Sequence, residues 1–243
     1  MTNQTLILIP GLGADARMWM PQIAALRGTV LPIVTEEHAR HDSIAAMAAA
    51  ILAVAPSHFA LAAASMGGYV ALEIMRQAPG RVARLALLNT SARADAPEQK
   101  AARQALIAIA LRDGVDAAVT QRLPLTVHAD RRSDAAFVRL FYDMQREAGV
   151  DVYVRQMRAA MGRADSRDLL AAIACPTLVL TGRQDALIAP ALSREMAEAI
   201  PGASLVELDG CGHCANLERP DQVNAALAAW LAARSFSPSP PPR

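Results

Sequence analysis

The sequence predicts an α/β protein: a doubly wound, mostly parallel sheet of about six strands, with an all-helical insertion between two of them. Three observations carry this. Six short β-rich runs alternate with helical stretches, the order that builds a parallel sheet covered by helices. Most of those runs are continuously apolar, as expected for strands buried on both faces. The alternation then stops between Asn89 and Thr177, where only helical periods remain.

The elements follow in order. Thr5–Ile9 is the first predicted strand and Thr29–Val34 the second. A helix over Ser43–Val54 comes next, with Asp42 as its expected N-cap. The strand Phe59–Ala63 runs almost directly into the helix Met66–Gln77, and Arg84–Asn89 is the fourth strand. From about Asp95 to Asp168 the helical periods lie in Lys100–Leu111, Asp134–Arg146 and Val152–Met161. Alternation resumes with Thr177–Thr181, Pro190–Ala199, Ser204–Leu208 and Pro220–Ala233. Pro190 and Pro220 stand where a first-turn proline is tolerated. The expected organisation is a core of residues 1–94 and 169–234, a helical insertion at 95–168, and a disordered or extended tail at Ser235–Arg243, SFSPSPPPR.

Composition bounds the function. The chain has 243 residues and a net charge of +1. It is 53% hydrophobic and 19% charged, enough apolar material for a sizeable core. Near-neutral charge argues against electrostatic binding to nucleic acid or a membrane surface. Lys100 is the single lysine, so the positive charge is almost all arginine. With the heavy alanine usage, that fits the codon bias of a high-GC genome. No basic stretch precedes Leu6–Ile9, a run too short for a signal peptide. The uncharged segment Ser43–Leu72 is long enough to span a bilayer, but Pro56, Ser57, His58 and Gly67-Gly68 interrupt it. It reads as helix, turn and strand. Cys175, Cys211 and Cys214 are too few for a disulfide framework. The expected setting is the cytoplasm, with no membrane and no nucleic-acid partner.

The strongest chemical signal is Ala63-Ala64-Ser65-Met66-Gly67, an apolar strand turning through a serine into a helix. Small residues two before and two after the serine let the flanking backbones approach, as a strained nucleophile turn requires. The strand Ile7–Ile9 ends in Pro10-Gly11-Leu12-Gly13, a turn that can supply a backbone N–H. With the N–H of Met66 at a helix N-terminus it can build an oxyanion hole. Two further strands end in Gly182-Arg183-Gln184-Asp185 and Gly210-Cys211-Gly212-His213. These loops therefore emerge at the same carboxyl edge of the sheet as Ser65, where open α/β sheets bind ligands.

Together these segments resemble the α/β-hydrolase family, over essentially the whole chain up to about Ala233. The likeness rests on the Pro10–Gly13 turn, Ala63-x-Ser65-x-Gly67, Gly182-x-x-Asp185, and Gly212-His213 followed by Glu218-x-Pro220. The order Ser65, Asp185, His213 is that of the family. Departures are Ala63 at the first elbow position, Ala64 where a histidine is common, Pro10-Gly11 in place of His-Gly, and no counterpart of the N-terminal antiparallel hairpin. The resemblance implies Ser65 as nucleophile, His213 as general base, Asp185 as its orienting acid, and the backbone N–H groups of Leu12 and Met66 as oxyanion donors. It implies no metal and no organic cofactor. The insertion falls where the family carries its cap, so its Leu106, Leu111, Leu123, Leu125, Met144, Met157 and Met161 are expected to form a pocket roof or to pack the cap onto the body.

The expected activity is hydrolysis of a carboxylic ester of a small, largely apolar substrate. Enol-lactonase, thioesterase, carbon–carbon bond hydrolase and perhydrolase stay open, because all use the same three residues. A serine disfavours the dehalogenase and epoxide-hydrolase branches. A ligand-binding member of the fold is a reading of another class, and a redox pair at Cys211 and Cys214 is a third. Asp209 is expected to be a polar strand end, with Asp168 the other competing acid. His38, His41, His58 and His128 are expected at the surface or in loops. The insertion's arginines alternate with acids and are expected on solvated helix faces.

Overall fold

The computed structural model describes residues 4–233, so the expectation for the tail 235–243 lies outside the described residues. Six strands form one all-parallel sheet: β1 (Thr5–Ile9), β2 (Leu31–Val34), β3 (Phe59–Ala64), β4 (Val82–Leu88), β5 (Thr177–Gly182) and β6 (Ser204–Leu208). Their spatial order is β2-β1-β3-β4-β5-β6. The chain leaves β1 in one direction to make β2, then returns past β1 to build the rest of the sheet from β3. The direction of winding therefore reverses between β1 and β3, which pair with Ile9 opposite Ala63. A crevice at the carboxyl ends opens at such a reversal.

Helices cover both faces. They are α1 (Met20–Leu26), α2 (Ile44–Val54), α3 (Met66–Gln77), α4 (Pro97–Asp113), α5 (Val115–Thr126), α6 (Ala135–Met161), α7 (Pro190–Ala199), α8 (Ala215–Glu218) and α9 (Pro220–Ala232). Alternate residues of each central strand feed opposite cores. Ile7, Ile9, Leu61 and Leu87 pack with α2, α3 and α7. Leu6, Leu8, Ala62 and Leu88 pack with Trp19, Leu26, Leu227 and Trp230. β3 is buried throughout and rich in alanine, which lets helices approach it closely from both sides. Among the described residues no helix is long and apolar enough to cross a membrane.

Several expectations are corrected. α1 is an element the sequence does not signal, because seven residues are too few for a periodic pattern. Ser43, not Asp42, caps α2, its Oγ accepting from the Ala46 N–H at 3.2 Å. β2 starts at Leu31 rather than Thr29, and it is an edge strand with Leu31 50% and Ile33 44% exposed, not one buried on both faces. β4 begins two residues earlier than expected and stops before Asn89.

Between β4 and β5 stand three helices. α4 and α6 extend the expected periods, and α5 fills the stretch between them. The two expected periods at 134–146 and 152–161 are limbs of α6, broken at Gly149 with φ 79°. The ends of this insertion are tied by one buried carboxylate. Asp95, just before α4, binds Arg103 of α4 at 2.7 Å and Arg163, just past α6, at 2.6 Å. Arg163 also lies over the Tyr69 ring of α3, 3.9 Å from its centroid. Removing one partner of a buried ion pair strands the other charges, at a cost of about 3–5 kcal/mol. We predict that Asp95→Ala lowers the free energy of unfolding by about that amount in urea titrations. A loss under about 1 kcal/mol would show that water satisfies both guanidiniums.

Candidate active site

The site starts from a strained turn. Ser65 follows the last residue of β3 and has φ 54°, ψ −120°, a conformation that costs a non-glycine residue roughly 1–3 kcal/mol. Neighbouring strands hold it there. The Ser65 N–H donates to Leu88 O at 2.9 Å, and its carbonyl accepts from the Thr90 hydroxyl at 2.8 Å and the Gly68 N–H at 2.9 Å. Gly67 makes the turn possible. A Cβ there would stand 2.5 Å from Ile9 O and 2.7 Å from Pro10 O. The first turn of α3 therefore lies against the end of β1, and the Pro10–Gly13 turn comes beside Ser65. A Cβ on Gly11 would sit 3.3 Å from that of Ser65. Among the described residues, the backbone N–H groups of Leu12 and Met66 have no acceptor.

His213 and Asp185 arrive from the loops after β6 and β5. The Ser65 hydroxyl lies 2.7 Å from His213 Nε2, and His213 Nδ1 lies 2.8 Å from Asp185 Oδ2. Asp185 is fully engaged. Oδ1 accepts from the N–H groups of Leu187 and Ile188, each at 2.9 Å, and Oδ2 accepts from Asn89 Nδ2 at 3.0 Å as well as from the histidine. With both oxygens so held, the carboxylate stays aimed at Nδ1. The two loops touch closely. A side chain at Gly182 would collide with the carbonyls of Cys211 and Gly212.

Glu218 braces the histidine loop. Its buried carboxylate accepts from the Gly212 N–H at 2.8 Å, the Cys214 N–H at 3.0 Å, and the N–H of His128 in the insertion at 3.3 Å. The insertion also grips the turn after β1. Gln145 Nε2 donates to Leu12 O at 2.9 Å, and the Gly13 N–H donates to Gln156 Oε1 at 2.7 Å. One peptide group is thus held at both ends by two glutamines of α6. Gln156 Nε2 continues to His38 O, and His38 Nε2 bonds Ala14 O. His38 is therefore a buried loop brace rather than a surface residue, and burial holds its pKa below the usual imidazole value. His58 is exposed; His41 and His128 are intermediate.

The competing acids lie elsewhere. Asp209 is exposed and pairs with Arg183, and Asp168 pairs with Arg76 at the surface. Cys211 and Cys214 pack into different apolar clusters. Burial, with Glu218 adding to it, pushes the Cys211 thiol up to about 12 and Cys214 well above the usual thiol value. All three cysteines are free thiols.

Two cavities meet at Ser65. One, of about 140 Å³, runs between α3, α4 and the β5 loop, lined by Leu106, Leu125, Met157 and Ile188. The other, a cleft of about 30 Å³, lies on the His213 side against Phe141, Met144 and Gln145. Of the apolar residues expected in a roof, Leu106, Leu125, Met144 and Met157 line these spaces, whereas Leu111 is 60% exposed. Asn89, Thr90, Gln145, Gln156 and Arg122 border or brace the site without belonging to any of the sequence motifs. For the first two a signal was present: an apolar strand that ends abruptly in Asn-Thr-Ser. The others reach the site only through the packing of the insertion, which no local pattern encodes.

The chain is similar to known proteins over most of its length. A family model described as the alpha/beta hydrolase family matches residues 6–226. Among curated sequences, a protein named putative carbamate hydrolase RutD from Rhizobium rhizogenes is 30% identical, covering 96% of this chain and 94% of its own. A protein of the same name from Agrobacterium fabrum is also 30% identical, covering 93% and 92%. Among solved structures, the enol-lactonase from Burkholderia xenovorans superposes with a TM-score of 0.87 at 28% identity, over 96% of this chain and 93% of that one. A thermophilic esterase from Thermogutta terrifontis superposes with a TM-score of 0.85 at 28% identity, over 95% and 90%. A matching family model over most of the length and a six-stranded parallel sheet together establish that the chain belongs to the alpha/beta hydrolase family.

Proposed function

We propose that the protein is a serine hydrolase that cleaves a carboxylic ester of a small substrate through an acyl-enzyme on Ser65. One observation carries the reading: the unbroken hydrogen-bonded chain Ser65–His213–Asp185, set on a strained turn at the point where the sheet reverses its winding. A free hydroxyl is a poor nucleophile at neutral pH. Here His213 Nε2 takes the hydroxyl proton as Oγ attacks the carbonyl carbon. Asp185 keeps the other proton on Nδ1 and stabilises the imidazolium.

The tetrahedral intermediate places its negative oxygen between the N–H groups of Leu12 and Met66, each such donor contributing about 2.7–4 kcal/mol. Collapse breaks the bond to the alcohol, which leaves with the proton from His213. Water then gives a proton to His213 and attacks the acyl carbon. The acid departs and the proton returns to Ser65 Oγ. The scheme draws only on side chains, backbone and water.

In this reading residues 1–94 and 169–234 are the core and 95–168 is a cap that roofs the site and selects substrates. The larger cavity approaches the roughly 150 Å³ that accommodates a benzene ring, so the group it takes is small. A second reading follows from the names of the relatives. A carbamate presents an acyl carbon to the same machinery, as does an enol-lactone, so both belong in the first substrate screen beside short esters and thioesters.

A fluorophosphonate probe tests the nucleophile. We expect one adduct, on Ser65, in the folded protein and none after denaturation. Ser65→Ala should lower ester turnover by about 10⁶-fold and Asp185→Asn by about 10⁴-fold, with unchanged unfolding curves. Unaltered turnover in a clean Ser65→Ala preparation would overturn the assignment, and folded protein that draws no adduct would favour a ligand-binding role. The cysteines give a separate check. A buried thiol with a raised pKa is scarcely ionised, so Cys211 and Cys214 should resist Ellman's reagent at pH 8 until the protein unfolds. Rapid labelling of either in the folded protein would revive a redox role.

A further inference from the structure

Arg122, on α5, lines both cavities at Ser65. Arg103 lines the larger one too, but Asp95 holds it. The other arginines of the insertion nearly all have partners. Arg146 binds Asp116 and Asp143, Arg131 binds Asp134, and Arg163 binds Asp95. Arg132 and Arg155 donate to backbone carbonyls, and Arg158 is exposed. Arg122 is partly buried, and among the described residues its guanidinium has no ion-pair partner; the polar group beside it is the Tyr153 hydroxyl, which carries no charge.

Among the described residues no carboxylate forms an ion pair with it. Glu147 pairs with Arg17, Glu218 is taken by three backbone N–H groups, and Asp185 is saturated. The charge points inward. Burial raises the pKa of the Tyr153 hydroxyl and of the Cys214 thiol, and Arg122 opposes both shifts. A guanidinium withdrawn into an apolar cavity without a counter-charge is a costly arrangement, unless the ligand brings the charge. Its planar fork of donors matches a carboxylate.

We propose that Arg122 binds a carboxylate carried by the substrate, so that the protein acts on anionic acyl compounds: half-esters or lactones of small dicarboxylic acids. The inference rests on the reading of Ser65 as the nucleophile and narrows it. It also revises two expectations. The substrate is charged rather than largely apolar, and Arg122 does not lie on a solvated helix face. Since Arg122 borders both cavities, a carboxylate on it leaves the ester carbon of a short chain at Ser65. The size of the larger cavity limits that chain to roughly six heavy atoms.

Matched 4-nitrophenyl esters of glutaric acid, with one free carboxylate, and of pentanoic acid test this. The wild-type protein should prefer the anionic ester in kcat/KM by at least about tenfold. Arg122→Gln should cut the anionic-to-neutral ratio by about 10- to 100-fold, the range for a charge-assisted hydrogen bond, and Arg122→Lys should keep part of it. A ratio unmoved by Arg122→Gln, or a wild-type preference for the neutral ester, overturns the proposal. Equal loss with both esters would place Arg122 at the reacting carbonyl instead, and also overturns it. Binding separates this inference from the nucleophile on which it rests. Methyl hydrogen glutarate and methyl pentanoate are titrated calorimetrically into Ser65→Ala protein. Tighter binding of the anion, lost when Arg122→Gln is added, supports the carboxylate site even if Ser65 draws no probe. Equal binding, or none of either, refutes it.

Discussion

The parallel pairing of β1 with β3 is the constraint on which the rest of the site depends. It brings two carboxyl ends side by side, Ile9 opposite Ala63, where the connections leave in opposite directions. One end supplies the Pro10–Gly13 turn and the other supplies Ser65. The two backbones are so close that position 67 has no room for a Cβ. This contact sets Ser65 beside the N–H groups of Leu12 and Met66. Only with it in place do β5 and β6, farther along the sheet, present Asp185 and His213 at useful distances.

Two buried carboxylates then fix the loops, by the same physical means. Each is surrounded by N–H donors rather than paired simply with a cation. Asp185 draws on its own loop, on Asn89 at the end of β4 and on His213. Glu218 draws on the histidine loop and on the insertion. A carboxylate that accepts several such bonds is held in orientation. Among the described residues, Asn89 is the other non-glycine with a positive φ, at 48°. Strain is therefore concentrated at two strand ends that face the same chemistry, which is where a folded chain can sustain it.

The core and the principal site residues were legible because their signals are local. Uninterrupted apolar strands, a serine between small residues, and Gly-x-x-Asp and Gly-His at strand ends are each written in a few consecutive positions. What stayed hidden depends on tertiary arrangement. β2 reads as apolar whether it lies at the edge or in the middle of a sheet. α6 reads as two periods because Gly149 interrupts one. Arg122 reads like its neighbours, since a charge facing a cavity and a charge facing water have the same helical spacing. Its distinction is the absence of a charged partner among the described residues, and that appears only when the acids around it have been assigned.

The break at Gly149 reaches further than the shape of one helix. In an unbroken α-helix the eleven steps from Gln145 to Gln156 would span about 16 Å, too far for both side chains to meet a single peptide group. The bend folds the helix back so that they close on the Leu12–Gly13 peptide from either side. The insertion is thus built into the Pro10–Gly13 turn itself and is not a detachable roof. Exchanging it with that of a relative, as one might to transplant specificity, would release the turn unless both glutamines and the bend travelled with it. For this chain, a change of substrate range is confined to residues between those anchors, and the insertion and the chemistry beneath it must be inherited as one unit.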